Sequence, residues 1–250
     1  MTEKKFLKTF KDKLLDAVYP PSIYCISCGA IIDSSRTYWL CDSCIKKFLW
    51  NTGRRCQLCG KALSEEYVHE TCYDCREYGR IYNRGISCCT YGLMEKNLIA
   101  DFKYNDKSYL SEPIGNMLYD VISMQNISFD IIIPVPLHRS RFKKRGYNQA
   151  ELLGKTLGER TGKPCNSKVI LRTKNTDAMK TMSLMDRRES IRGAFAFSED
   201  MKNEIKGSKI LLVDDICTTG ATLDGCAYLL FQAGAEEVSA LTFASGGNLR

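Results

Sequence analysis

The clearest hydrophobic pattern in the chain lies near its end. Ile210, Leu211, Leu212 and Val213 form an unbroken apolar run, the pattern of a strand covered on both faces. Asp214 and Asp215 follow, then, after Ile216 and Cys217, a small hydroxyl-rich loop of Thr218, Thr219, Gly220, Ala221 and Thr222. Leu223, Ala227 and Leu230 then recur on one helical face. The stretch predicts a buried strand, a tight loop and a helix start. A second apolar run, from Asp130 to Val135, predicts another doubly covered strand, stopped by Pro134 and Pro136. A helix is expected from Ala150 to Arg160, ended by Gly162 and Pro164. Shorter patterns predict strands over 86–91, 169–171 and 238–244 and helices over 93–103 and about 112–124. The fold class is therefore α/β with a parallel sheet flanked by helices. From Arg172 to Phe195 no period is visible, and so long an irregular stretch is usually functional. At the other end Phe6, Leu7, Phe10 and Leu14 predict an amphipathic helix over 1–20, expected to dock on its own protein.

The first of these patterns carries chemistry. A loop opening a helix offers an anion free backbone N–H groups and the positive end of the helix dipole. Gly220 lets the backbone approach closely, and the threonine hydroxyls add donors. The acidic pair repels phosphate, so it faces ribose hydroxyls or a phosphate-bound metal. Phosphate on one side and a diol on the other describe a ribose 5-phosphate. After the second strand, Arg139, Arg141, Lys143, Lys144 and Arg145 fall within seven residues. A basic loop at the C-terminal end of a parallel strand is where an α/β sheet takes anions. Arg145 through Gln149 is a mixed set suited to specific contacts, and Phe142 and Tyr147 offer aromatic surfaces to a single strand.

Cysteine changes the picture of the N-terminal third. Cysteines stand at 25, 28, 41 and 44 and again at 56, 59, 72 and 75, each of the second four 31 residues after its counterpart. Both halves read CxxC, twelve residues, CxxC, and the second pair of each runs into a short helical pattern. Two such turns complete a tetrahedral zinc site with four sulfur ligands and no open position, so both sites read as structural. The repeat favours sequential sets, Cys25, Cys28, Cys41, Cys44 and Cys56, Cys59, Cys72, Cys75; spacing alone leaves an interleaved arrangement open. Lys46, Lys47, Arg54, Arg55, Arg76 and Arg80 lie near these sites and read as solvated charge. His69 reads as a surface histidine, and Cys88 and Cys89, adjacent on a strand, as small buried fillers.

Composition sets the limits. With 250 residues, 44% of them hydrophobic, the chain can form one α/β domain with a good core and a smaller module. No apolar run approaches the ~20 residues of a membrane span. Thirteen cysteines without an export signal imply a reducing, cytoplasmic setting, where metal ligation is the commoner use. A net charge of +7 permits a polyanionic partner without requiring one.

The 210–222 stretch resembles the signature of the type I phosphoribosyltransferases. That resemblance implies a site for phosphoribosyl pyrophosphate (PRPP) with Mg²⁺. In it Asp214 and Asp215 hold the ribose hydroxyls or metal, and Cys217 to Thr222 hold the 5-phosphate. It also implies that the basic loop takes the pyrophosphate and that the irregular stretch closes over the site, with Arg187, Arg188 and Arg192 reaching the polyanion. Taken together, the cysteine repeat, IADFKYND near 99, PVPLHRSRFKKRGYNQAELL at 134, RRESIRGAF at 187 and LLVDDICTTGAT at 211 resemble the competence protein F family, also called ComF or GntX type. The resemblance covers nearly the whole chain from about residue 20. It implies a double zinc ribbon over 21–80 with two structural zinc ions, a phosphoribosyltransferase-like domain over 81–250, and the handling of incoming single-stranded DNA beside DNA-uptake helicase or channel proteins. One position departs: where relatives usually carry Gln, this chain has Met179. Two other readings stand beside this one. One is a Mg²⁺-dependent transferase with Asp214, Asp215 and Arg145 in catalytic roles, although no acceptor pocket is legible. The other is an interaction scaffold built on the zinc module.

Overall fold

A computed structural model describes residues 21–175 and 193–246. The helix expected over 1–20, together with Met179, Arg187, Arg188 and Arg192, lies outside the described residues. The chain separates into two compact units, one ending at Phe48 and the other beginning at Leu49.

In the first unit, Gly29 at φ +74° turns the chain after Cys28, and Tyr24 bridges Ile31 across the turn. Helix α1 (Asp42–Lys47) starts directly from Cys41. The second unit opens on the same plan: Gly60 turns at φ +73°, Arg55 bridges Ala62, and α2 (Tyr73–Tyr78) starts from Cys72. The spacing of 31 in sequence is thus a spacing of 31 in conformation. The halves differ in what surrounds them. Cys56, Cys59, Cys72, Cys75, Leu63 and Tyr82 are part of the hydrophobic core that also holds Ile131, Ile133, Ile210, Leu212 and Leu230.

The rest of the second unit is a parallel sheet with helices. In chain order come β1 (Arg84–Thr90), α3 (Leu93–Tyr104), α4 (Ser111–Met124), β2 (Ile131–Pro134), α5 (Arg139–Arg145) and α6 (Gln149–Thr161). A short antiparallel pair follows, β3 (Ile170–Arg172) and β4 (Phe195–Phe197), then α7 (Lys202–Ile205), β5 (Lys209–Cys217), α8 (Ala221–Gln232) and β6 (Glu237–Ser245). The sheet order is β1-β6-β5-β2, every pair parallel. Central β6 buries all but its first residue, and β5 buries its whole apolar run Ile210 to Val213, as continuous apolar runs require when helices cover both faces. Among the described residues no helix is long and apolar enough to cross a membrane.

Two elements differ from expectation at the point where the site lies. β5 runs past its apolar stretch to Cys217, because β6 pairs with it that far: Asp214 sits opposite Thr242 and Cys217 opposite Ser245. The acidic pair is therefore part of the strand, and the loop shortens to Thr218–Gly220. The basic segment, expected as a loop, is the helix α5. His138 caps it, its Nδ1 accepting the Ser140 N–H at 3.3 Å, and Gly146 ends it at φ +79°.

The second ribbon is seated on β1 through two glycines. A Cβ on Gly60 would lie 2.6 Å from the Gly85 carbonyl oxygen, and one on Gly85 would lie 2.7 Å from the Cys59 Cα. The Gly85 N–H donates to the Leu58 carbonyl at 2.8 Å. Residues 49–51 then cover the other end of β1: Trp50 bridges Cys89, and the Asn51 N–H donates to the Cys88 carbonyl. These contacts blunt a sheet edge that would otherwise be open.

Candidate functional site

The cysteines gather into two clusters, Cys25, Cys28, Cys41, Cys44 and Cys56, Cys59, Cys72, Cys75, the sulfurs of each within 4.8 Å of one another. The sets are sequential. A tetrahedral zinc tetrathiolate has S···S edges of about 3.8 Å; Cys28–Cys41 is 3.8 Å and Cys59–Cys72 is 3.6 Å. The two clusters therefore fit two structural zinc ions. Backbone N–H groups already point at the sulfurs, Cys41 at Cys25 and Cys72 at Cys56. In the second cluster the side chains of Cys59, Cys72 and Cys75 hold the Cys56 thiol well below its ordinary range. Burial separates the two: Cys28 is exposed and Cys41 half-buried, whereas all four cysteines of the second cluster are buried. Cys88 and Cys89 are both buried, and the Cys89 thiol donates to the Phe243 carbonyl, in keeping with fillers rather than ligands. His69 is exposed and stands edge-on to Tyr67.

At the C-terminal end of the sheet, β5 delivers Asp214 and Asp215 to the loop. Asp215 is buried and accepts from the Lys103 ammonium at 2.9 Å. Among the described residues Asp214 has no such ion pair; its Oδ1 accepts the Asp215 N–H at 2.8 Å. Burial, then the neighbouring Asp215 charge, pushes the Asp214 carboxyl up to about 7. The loop follows with Thr218 exposed, Thr219 half-exposed and Gly220 in the left-handed region at φ +79°. The Thr219 hydroxyl accepts the Ala221 N–H at 3.4 Å and the Asp224 N–H donates to the Gly220 carbonyl at 2.9 Å, while the N–H groups of Thr222 and Leu223 have no partner within the helix. Cys217 is buried and its thiol raised to about 11 by that burial. Cys217 therefore lies beneath the loop as a neutral filler.

Helix α3 supplies what the sequence reading missed. Leu98, Ile99 and Phe102 bury its inner face, which brings Lys103 to Asp215 and Tyr104 to the basic helix. Arg145 donates to Gln149 at 3.0 Å and to the Tyr104 hydroxyl at 3.2 Å, and its guanidinium lies 5.0 Å from the Tyr104 ring centre. The Tyr147 hydroxyl and the Gln149 amide both donate to the Phe102 carbonyl. The mixed set after the basic run therefore fastens α5 and α6 to α3. Arg139, Lys143 and Lys144 are exposed and Arg141 half-buried. A lone lysine on a helix carries no periodic signal, so Lys103 could have been found only through the 99–106 block.

Beside the end of β2 a cavity of about 400 Å³ is bounded by Leu137, His138, Phe142, Asn148, Ile170 and Leu171. No sequence pattern announced it, because its wall joins α5 to β3 across thirty residues of chain. Arg80 also departs from expectation. Its side chain is fully buried beneath the loop, not solvated, and pairs with Asp224 at 3.6 Å.

Known proteins agree with this architecture. The double zinc ribbon domain family matches residues 14–76, and the phosphoribosyl transferase domain family matches residues 167–250. Competence protein F of Haemophilus influenzae is 30% identical, the alignment covering 86% of this chain and 93% of that protein. Competence protein ComFC of Bacillus subtilis is 28% identical over 81% of this chain and 82% of its own. The DNA utilization protein YhgH of Escherichia coli O157:H7 is 28% identical over 73% and 80%. With two four-cysteine clusters, a parallel sheet whose strand β5 carries an acidic pair just before a short loop and a helix start, and a relative 30% identical over most of both chains, the chain belongs to the competence protein F family.

Proposed function

We propose that the protein binds a ribose 5-phosphate group, as PRPP with Mg²⁺ or as the end of a nucleic-acid strand, and uses that site in handling single-stranded DNA. The observation that carries this reading is the convergence at the end of β5. Asp214 and Asp215 stand towards the C-terminal end of the central strand β5, beside an α8 N-terminus whose loop is turned by Gly220 at φ +79°. A Mg²⁺ at the pair would take two carboxylates from the protein and complete its octahedral shell with ligand oxygens and water. The exposed basic face of α5, with Phe142 and Tyr104 exposed beside it, suits a strand of phosphates and bases. The names of the relatives, competence protein and DNA utilization protein, support the DNA setting. The same family likeness favours the ribbon as a docking module for uptake proteins.

The test is calorimetric titration with PRPP and with ribose 5-phosphate, each with and without Mg²⁺. Wild type should bind, and the Asp214→Asn, Asp215→Asn double variant should lose at least about a hundredfold, the worth of two charge-assisted contacts. Equal affinity in the double variant would end the ribose-phosphate reading. Binding to a single-stranded oligonucleotide should weaken steeply with salt. Joint replacement of Arg139, Lys143 and Lys144 by Ala should flatten that slope by about two, at about 0.7 per phosphate contact on a single strand.

The Asp214 carboxyl gives a second expectation. It is raised to about 7, so below that pH it is protonated and cannot take a metal or accept from both ribose hydroxyls. Affinity should therefore climb as pH rises through 7 and level off above it. Stability has the opposite sign: the contribution of a carboxyl whose folded value is raised is complete below its unfolded value and is lost as pH rises towards 7. Titration in buffers on both sides of 7 checks this. The Asp214→Asn variant should retain only the gentler dependence of the phosphate itself, whose second ionisation lies near ~6.

A specific observation favours a second reading, transfer from PRPP to an acceptor: the cavity beside Phe142 and Leu171 is of a size that holds a small ring. Pyrophosphate release with any member of a nucleobase and amine panel would establish turnover. Its absence at saturating PRPP leaves the protein as a binder.

A further inference from the structure

Between the second cysteine cluster and the loop lies one side chain that neither site accounts for. Helix α2 ends at Gly79, φ +62°, and the next residue is Arg80, five positions after Cys75. Its side chain is 0% exposed. Nη1 donates to the Gly79 carbonyl at 2.9 Å and faces Asp224 at 3.6 Å. Among the described residues Nε and Nη2 have no hydrogen-bond partner. The guanidinium plane lies against the loop: a Cβ on Gly220 would be 3.1 Å from both Cζ and Nε. Buried guanidinium donors without partners are rare and costly, and these two sit against the residue at the centre of the phosphate-type turn. Asp224, which would otherwise place a buried negative charge in the first turn of α8, is neutralised by Arg80 and by the Ile81 N–H at 2.9 Å.

We propose that Arg80 couples the second cysteine cluster to the ribose-phosphate loop, as a positioning residue that sets Gly220 from beneath. Metal binding at Cys56, Cys59, Cys72 and Cys75 and anion binding at Thr218–Thr222 then strengthen each other. The inference rests on the ribose-phosphate reading. The path is short and physical. Metal holds the ribbon on β1; the ribbon holds Arg80 under the loop; the two unpaired donors leave a positive potential that an anion above Gly220 satisfies. Coupling of this kind is reciprocal: whatever the metal adds to anion affinity, the anion adds to metal affinity. Replacing Arg80 removes the link and leaves all eight thiolates in place.

Full-length protein loaded with cadmium gives one tetrathiolate NMR resonance per cluster, and Cys28→Ser identifies the signal of the first. Ribose 5-phosphate should shift the second-cluster resonance in wild type. In Arg80→Met that shift should vanish, and ribose 5-phosphate affinity should fall about tenfold, the worth of one charge-assisted contact. Arg80→Lys, which keeps the charge and loses the fork, should fall between them. Should Arg80→Met fail to show two resonances, Arg80→Lys decides, and wild-type affinity and shift in it would overturn the coupling. Wild-type behaviour of Arg80→Met overturns the coupling while leaving the ribose-phosphate reading intact. Failure of wild type to bind ribose 5-phosphate overturns both.

Discussion

Cys59→Ser should cost the second unit its fold, while Cys28→Ser should leave that unit standing. The two positions are equivalent in the repeat, 31 residues apart, and each removes one of four thiolates. Their surroundings set the difference. Cys28 is exposed in a unit that ends at Phe48. Cys59 is 2% exposed, packs in the core that holds the sheet, and is pressed against Gly85 of β1. Structural zinc in small modules contributes roughly 10–16 kcal/mol, as much as the whole stability of an ordinary domain. Losing a ligand in the second cluster therefore removes more than the second unit can spare. Metal analysis and thermal unfolding check it. Cys28→Ser should hold about one zinc and keep the main transition and its ribose 5-phosphate binding. Cys59→Ser should lose the cooperative transition or accumulate as aggregate. A Cys59→Ser protein that melts like wild type with one zinc fewer would show that the second metal is no part of the core.

The repeat itself was fully legible, because metal ligation demands particular residue types at particular spacings and tolerates little else. The strand, loop and helix around Asp214 were legible for a related reason: an unbroken apolar run, an abrupt polarity change and a helical period follow one another within twenty residues. What escaped reading depends on contacts distant in sequence. Lys103 and Arg80 are single cations in polar segments, and nothing local says that one meets Asp215 and the other lies under Gly220. The unequal burial of the cysteine halves was equally hidden, since CISCG and CQLCG carry the same signal. Gly29 has nothing within 4 Å of where its Cβ would stand, whereas Gly60 has the β1 backbone. The basic segment is a helix and not a loop because His138 caps its start and Gly146 stops it, signals that a run of like charges with no apolar period does not carry.

Gly85→Val tests the least legible of these contacts and should be the most damaging single change outside the cysteines. Gly85 has an ordinary extended backbone, so strain in φ plays no part. The requirement is space. A Cβ there would lie 2.7 Å from Cys59 Cα and 2.8 Å from Cys59 C and O, closer than real Cβ contacts come. Those are backbone atoms and cannot swing away as a side-chain tip would. Neither partner is free to retreat: Gly85 donates to Leu58 at 2.8 Å and pairs with Ala240 of β6, and Cys59 is bound to its cluster. Overpacking in rigid surroundings costs about 3 kcal/mol or more, which in a unit of this size lowers Tm by roughly 6–12 °C. Gly162→Ala is the control, in the ordinary left-handed region at φ +69° with nothing within 4 Å, and should cost only about 1 kcal/mol. If the ribbon is seated as described, Gly85→Val should also weaken ribose 5-phosphate binding, because lifting Cys59 from β1 disturbs Arg80 and with it Gly220. Stability and binding both within error of wild type would mean that the second ribbon does not rest on the sheet at all.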